Sequence, residues 1–194
     1  MADRARIRFP EPVGTAGTDL VLHWSDHELI GTSVATLATA FVTARFRAAV
    51  DMGRCAAILA AQETVLLTHC HSDHVAGLVA WLSAHTRRFE GAPTRIVVPA
   101  ARHRALLGAL QVWPELDGVR RRVRLEDVVV PASAGETVPL AGDGTARAFE
   151  VHHSVPSVGW VLSDGTANRP IFAFAGDGTV LPFQNDPALL DAEI

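Results

Sequence analysis

Two cysteines in 194 residues, Cys55 and Cys70, are too few for a disulfide framework, and the default for such a chain is a reduced, cytoplasmic protein. No apolar run is long enough to cross a bilayer, so no membrane association is expected. The start, Met1-Ala2-Asp3-Arg4, carries early charge with no apolar stretch behind it, which argues against a secretory signal. Low-complexity segments and linkers are also missing, because the 15 glycines and 11 prolines are spread along the chain. Length and a hydrophobic content of 48% fit one domain over residues 1–194 with a sizeable core. Lysine is absent, so all 17 basic residues are arginine. The net charge of -4 argues against wholesale attraction to nucleic acid. Nine arginines nevertheless fall in one window: Arg87, Arg88, Arg95, Arg102, Arg104, Arg120, Arg121, Arg122 and Arg124, opposed there only by Glu90, Glu115 and Asp117. One reading is a local phosphate-binding face; the other is a solvated helix surface in an arginine-preferring genome.

The chain reads as strands interleaved with a few helices. Short β-segments are expected at 20–24, 40–43 and 47–51, separated by turn signals at Gly14, Gly17, Gly31 and Gly53 and forming an antiparallel sheet. A short helix is expected over 55–62 and a buried strand over 64–68. Apolar spacing through Val75, Leu78, Val79 and Leu82 predicts a helix over 74–85, with Ser72 or Asp73 placed to cap it. A strand at 95–98 then leads to an amphipathic helix over 100–112 ended by Pro114. Strands are expected at 125–130, 147–153, 158–162 and 171–175. This order points to an α/β or α+β layered sandwich.

The chemistry concentrates in His69-Cys70-His71-Ser72-Asp73-His74. Three histidines and an aspartate at the end of an apolar strand are a metal-ligand pattern, whereas a lone histidine is more often structural. Alternation along an extended turn puts His69 and His71 on one side and Cys70 on the other, which makes Cys70 a small packed thiol. Asp73 and His74 follow as the chain bends into a helix, so the cluster suits two neighbouring divalent cations. Two later strand ends are further candidates: His152-His153-Ser154 and Gly176-Asp177-Gly178. Each alone would read as a turn.

These segments resemble the metallo-β-lactamase superfamily, and within it the short-form tRNase Z (ribonuclease Z) family, over nearly the whole chain from about Gly31. Thr32-Ser33-Val34 looks like an early family loop, and Val50-Asp51-Met52-Gly53 looks like its Asp-x-Gly segment. Thr68 to Gly77 is similar to the motif Thr-His-x-His-x-Asp-His-x-x-Gly. His153 to Trp160 resembles the later histidine motif, and Ala175-Gly176-Asp177 the Gly-Asp motif. The resemblance implies an αββα sandwich and two divalent metals, zinc first among them. His69, His71 and His153 would hold one metal, Asp73 and His74 the other, and Asp177 would bridge them. It also implies Asp73 as general base and cleavage of precursor tRNA on its 3′ side. A homodimer is implied as well. His152 receives no role beyond neighbouring His153.

Three departures qualify the resemblance. Gly178 replaces the family's usual threonine and should loosen the turn that aims Asp177. Only sixteen residues separate Trp160 from Asp177, so the tRNA-gripping arm has no room, and the arginine window over 87–124 would have to substitute. After Asp177 the chain runs only to Ile194, with 186–194 resembling the start of a further helix and strand. The family's later histidines, one assisting the leaving oxygen and one completing the second metal, have no counterpart. The sandwich is therefore expected to have an incomplete second half with exposed apolar surface, and the second metal a weakened site. Three functions follow: a tRNase Z-like phosphodiesterase, a divergent hydrolase of small phosphodiesters or esters, and a non-catalytic metal-binding remnant.

Overall fold

The computed structural model describes residues 6–8, 20–24, 27–118, 122–165 and 169–178. The larger of its two sheets has eight strands in sequential order: β1 (Arg6–Arg8), β2 (Leu20–Trp24), β3 (His27–Val34), β4 (Ala38–Thr43), β5 (Ala48–Val50), β6 (Thr64–Leu66), β7 (Arg95–Pro99) and β8 (Val129–Ala132). Strands β1 to β5 form an antiparallel meander, and β5 to β8 run parallel. The smaller sheet is antiparallel, in the order β12 (Arg169–Phe174), β11 (Val158–Asp164), β10 (Gly144–Glu150), β9 (Thr137–Pro139). The helices are α1 (Ala57–Ala60), α2 (Ser72–Val75), α3 (Leu78–Arg88), α4 (His103–Asp117) and α5 (Leu125–Val128).

Of the parallel strands, β5, β6 and β7 are buried on both faces, which is why they read as continuous apolar runs rather than alternating ones. Val65, Leu67, Ile96 and Val98 meet Leu78, Trp81, Leu82, Leu106 and Leu110 of the helical layer. Their neighbours Val50, Leu66 and Val97 face Ala146, Ala148, Trp160 and Leu162 of the smaller sheet. Each buried valine, leucine or isoleucine among these contributes about 1.5–3 kcal/mol. The described residues thus carry one helical layer and two packed sheets of the expected mixed sandwich.

Several local expectations are corrected. Gly31 is no turn: it pairs with Phe41 inside β3, where a Cβ would come 2.2 Å from the Phe41 ring. The helix expected over 74–85 is two helices, because the Gly77 amide turns to Met52 O at 2.8 Å. Neither Ser72 nor Asp73 caps; His71 occupies the N-cap of α2 without a side-chain bond. Helix α4 continues to Asp117 with Pro114 inside its last turn. Proline lacks an N–H there, but the surrounding residues are exposed and left-handed Gly118 closes the end by donating to Pro114 O at 3.0 Å. The strand expected over 125–130 begins as the single turn of α5, with Leu125 and Val128 buried three residues apart. Strand β10 ends at Glu150, which leaves His152 and His153 in a loop.

The exposed large apolar side chains among the described residues sit at Leu37, Ile58, Val112, Trp113, Leu116 and Val130, not on the smaller sheet. The arginine window is also divided. Arg87 and Arg88 end α3, Arg95 donates to Pro139 O, Arg122 pairs with Glu90 and Arg124 with Asp127. Arg120, Arg121, the turn signals Gly14 and Gly17 and the expected element at 186–194 lie outside the described residues.

Candidate metal centre

Every candidate ligand leaves the end of a strand at one edge of the sandwich. His69 and His71 follow β6, Asp73 and His74 lie in α2, His153 follows β10, and Asp177 follows β12. Two bonds register the sheets there: Val158 N donates to Thr68 O at 2.9 Å, and the buried Trp160 Nε1 to Leu67 O at 3.0 Å. The structure brings all six side chains together in two groups. Donor atoms of His69, His71, His153 and Asp177 lie within 4.8 Å of one another, as do those of Asp73, His74 and Asp177. Asp177 belongs to both.

In the first group His69 Nε2 stands 3.1 Å from His71 Nδ1, and His153 Nε2 3.3 Å from the same atom. Tetrahedral coordination with metal–nitrogen bonds of about 2.0–2.1 Å calls for nitrogens roughly 3.3 Å apart. Asp177 Oδ2 lies 3.8 Å from His69 Nε2 and 3.4 Å from His74 Nε2. Asp73 Oδ2 lies 3.7 Å from His74 Nε2 and accepts the Thr36 amide at 3.0 Å. That amide belongs to the β3–β4 turn, so the hairpin tip fixes one oxygen of Asp73.

Asp51 organises the ligands from beneath. It is buried, with φ 58, a left-handed conformation that aspartate tolerates better than most residues. Its Oδ1 accepts Thr68 N, while its Oδ2 accepts both Thr68 Oγ1 and His74 Nδ1, all at 2.8 Å. The Thr68 hydroxyl has one proton, spent on Asp51. Toward His69 Nδ1, 3.0 Å away, it therefore accepts. His69 and His74 thus both carry a proton on Nδ1, and each neutral ring turns its Nε2 lone pair to the site. His74 Nε2 is fully buried and has no hydrogen-bond partner. A buried lone pair without a donor is costly unless something electrophilic meets it, and a divalent cation fits this donor set.

Burial, with the neighbouring His74 and His153, lowers the His69 pKa to about 4, so it is neutral and free to ligate at ordinary pH. Burial alone would lower His74 too, but the hydrogen bond and charge of Asp51, with Asp177 and Asp73, raise it. Burial holds Asp51 above the ordinary carboxylate range against those same bonds. Cys70 is pushed up to about 11 by burial and packs against the helix-side core, as alternation suggested. His152 is exposed beside His153.

Sequence reasoning missed the parts played by Asp51, Thr68 and Thr36; the Asp-x-Gly segment and the threonine that opens the Thr68 to Gly77 motif were the available signals. It also misjudged Gly178. A Cβ there would lie 1.9 Å from Val151 Cγ1, so glycine lets the Asp177 turn rest on the buried Val151. We expect Gly178→Thr to lower stability by about 1–3 kcal/mol, and Val151→Ala to recover much of that in the double variant. Urea titration of all four chains checks it; a Gly178→Thr chain as stable as the parent would refute the packing account.

Residues 39–191 match the β-lactamase superfamily domain. Over 132 residues the chain is 29% identical to the chloroplastic tRNase Z TRZ2 of Arabidopsis thaliana, covering 68% of this chain and 36% of that protein. It is 28% identical to the nuclear ribonuclease Z of Triticum aestivum, covering 68% and 72%. Relative to the Arabidopsis protein, the match spans little more than a third of its length. Among solved structures, the apo chemotaxis sensor ODP of T. denticola shares the fold at a TM-score of 0.51 and 17% identity, covering 84% of this chain and 64% of that one. With the family model matched over most of its length and two ligand groups at its strand ends, the chain belongs to the metallo-β-lactamase superfamily and is tRNase Z-like.

Proposed function

We propose that the protein is a metal-dependent phosphodiesterase that cleaves precursor tRNA on its 3′ side. The observation that carries this reading is the pair of donor groups sharing Asp177, supported by the likeness to plant tRNases Z. His69, His71 and His153 would hold one cation and Asp73 and His74 a second, with Asp177 available to either group; histidine-rich and mixed carboxylate sets of this kind suit zinc. When bound, such ions supply Lewis acidity to the phosphoryl group and a nucleophilic water at neutral pH. The chain supplies the rest. The Thr36 amide holds Asp73 Oδ2, which leaves the other carboxylate oxygen to take a proton from the attacking water. Asp51 and Thr68 hold the proton of the neutral His69 and His74 rings on Nδ1, so that Nε2 is the atom offered to a cation. The arginine window offers cations for the tRNA backbone, and the two free thiols agree with a reducing compartment such as the cytoplasm.

A second reading, hydrolysis of small phosphodiesters, is favoured by the β11–β12 connection. These strands pair as a hairpin joined through residues 165–168, too short for an arm that grips tRNA. Zinc-loaded protein assayed on precursor tRNA and on bis(p-nitrophenyl) phosphate separates the two. Cleavage of precursor tRNA, lost on chelation and restored by zinc, is expected; turnover of the small ester alone would replace the first reading with the second. Fewer than one bound metal and no turnover of either would sink both.

A further inference from the structure

Asp177, shared by the two ligand groups, also lines a cavity that metal binding leaves unused. The β3–β4 hairpin supplies one wall. Ser33 and Thr39 are register partners there, and Phe41 follows two residues after Thr39 on the same face. Its partner Gly31 has no side chain, which leaves the Phe41 ring room to lie across β3. The end of β12 supplies another wall with Phe174, and Asp51 and Thr68 complete the lining. The volume is about 280 Å³, close to the lower bound of about 300 Å³ for small-molecule sites.

The lining decides what kind of group belongs in this space. Phe41 and Phe174 stand with ring centroids 5.7 Å apart at a tilt of 45°. Both pack against the core between the sheets yet stay half-exposed, so they offer aromatic surface to a flat ligand. Ser33 Oγ and Thr39 Oγ1 lie 3.2 Å apart. One donates to the other, and the accepting hydroxyl keeps a proton with no acceptor among the described residues. The charged lining residues are Asp51 and Asp177, both carboxylates, and Asp51 is occupied by Thr68 and His74. A phosphate inside would meet like charge, whereas an uncharged group esterified to it would not. The larger cleft beside His153, about 490 Å³, has no phenylalanine or tryptophan in its wall. An aromatic ligand is therefore better served by the smaller cavity.

We propose that this cavity binds one nucleoside of the substrate. Its base lies against Phe41 and Phe174, its polar edge meets the Ser33–Thr39 hydroxyls, and its phosphate stays at Asp177. The assignment rests on the phosphodiesterase reading above and names the group on one side of the scissile phosphate. Every base has a π-face, so stacking of this kind selects nucleotides as a class rather than one sequence.

The test is calorimetric binding of adenosine 5′-monophosphate, adenosine 3′-monophosphate and ribose 5-phosphate to the zinc-loaded parent, Phe174→Leu and Ser33→Ala, with metal content measured on each. The two adenosine phosphates place the base on either side of the phosphate. The tighter of them should bind the parent at least about fivefold more tightly than ribose 5-phosphate, the lower end of what one stacked base contributes. Phe174→Leu keeps an apolar contact but no ring, and should bring that ratio toward one with ribose 5-phosphate affinity and metal content unchanged. Ser33 is exposed, so Ser33→Ala folds as the parent does and should weaken the adenosine phosphate by about threefold. A parent without preference for the adenosine phosphates, or a preference kept in full by both variants, would overturn the nucleoside assignment. Turnover of bis(p-nitrophenyl) phosphate by that same parent would leave the phosphodiesterase reading standing. Adenosine phosphate binding that depends on Phe174, in a metal-loaded parent that turns over neither precursor tRNA nor the small ester, would overturn the phosphodiesterase reading and keep the cavity as a nucleotide site.

Discussion

Exchanging Asp51 for asparagine will weaken metal binding at both groups of ligands while leaving the fold in place. The reason is a proton relay rather than a lost contact. Asparagine keeps an oxygen for the Thr68 amide, which places its NH2 group where Oδ2 now accepts from Thr68 Oγ1 and His74 Nδ1. An NH2 group donates, so His74 Nδ1 must become an acceptor and move its proton to Nε2. The Thr68 hydroxyl, now receiving a bond, is free to donate to His69 Nδ1, and His69 changes tautomer as well. Two lone pairs that face the site become N–H groups. Outer partners of this type are worth about 10–100-fold in metal affinity, and here two ligands change together, so the loss belongs at the upper end of that range. Asparagine also tolerates the left-handed backbone of position 51. Competition titration with a zinc chelator gives the affinity, and nitrogen-15 shifts of the imidazoles report the tautomers directly. Unchanged affinity with both histidines still protonated on Nδ1 would refute the relay.

Replacing Asp73 with alanine has the larger kinetic effect. The side chain is nearly buried, belongs to the group with His74 and Asp177, and is held by the Thr36 amide. Its removal takes away both the proposed proton acceptor and a ligand. We expect cleavage to fall by at least about 10²–10⁴-fold, the range for a lost general base alone. Bound metal should fall from two ions toward one, because His69, His71 and His153 keep their own cation with Asp177. Metal analysis alongside single-turnover cleavage resolves the two losses. A chain that keeps both ions and near-parental rates would remove Asp73 from the mechanism.

The site was legible where its ligands are close in sequence and opaque where they are not. His69, His71, Asp73 and His74 announce themselves by spacing, and the loop they share makes that spacing spatial. His153 and Asp177 needed the resemblance, since a strand-end histidine and a Gly-Asp-Gly turn carry little signal alone. Asp51 lies 23 residues from His74 and Thr36 lies 37 from Asp73, and no local pattern encodes such contacts. The sandwich architecture followed from the order of strands and helices. The misplaced elements have short-range causes: Leu125 to Val130 is a segment too short for its apolar period to separate one helical turn from a strand. Pro114 was read as a stop, although a proline in an exposed final turn costs little enough for the helix to pass through it. Gly178 looked like a defect because its partner, Val151, is a contact that only the folded chain creates.

The placement of Trp160 and Val158 against Leu67 and Thr68 has a consequence for how the protein opens. The ligand groups bridge the seam between the two sheets: four side chains come from the segment after β6, one from the end of β10 and one from the end of β12. A bound cation therefore ties residue 69 to residue 177 and closes a loop of more than a hundred residues, at an entropic cost that grows only slowly with its length. Peeling the smaller sheet away must break metal bonds first. Bound ions would thus act on breathing as well as on the proposed chemistry, and the metal-loaded chain should exchange its β10 to β12 amides through rarer openings than the stripped one.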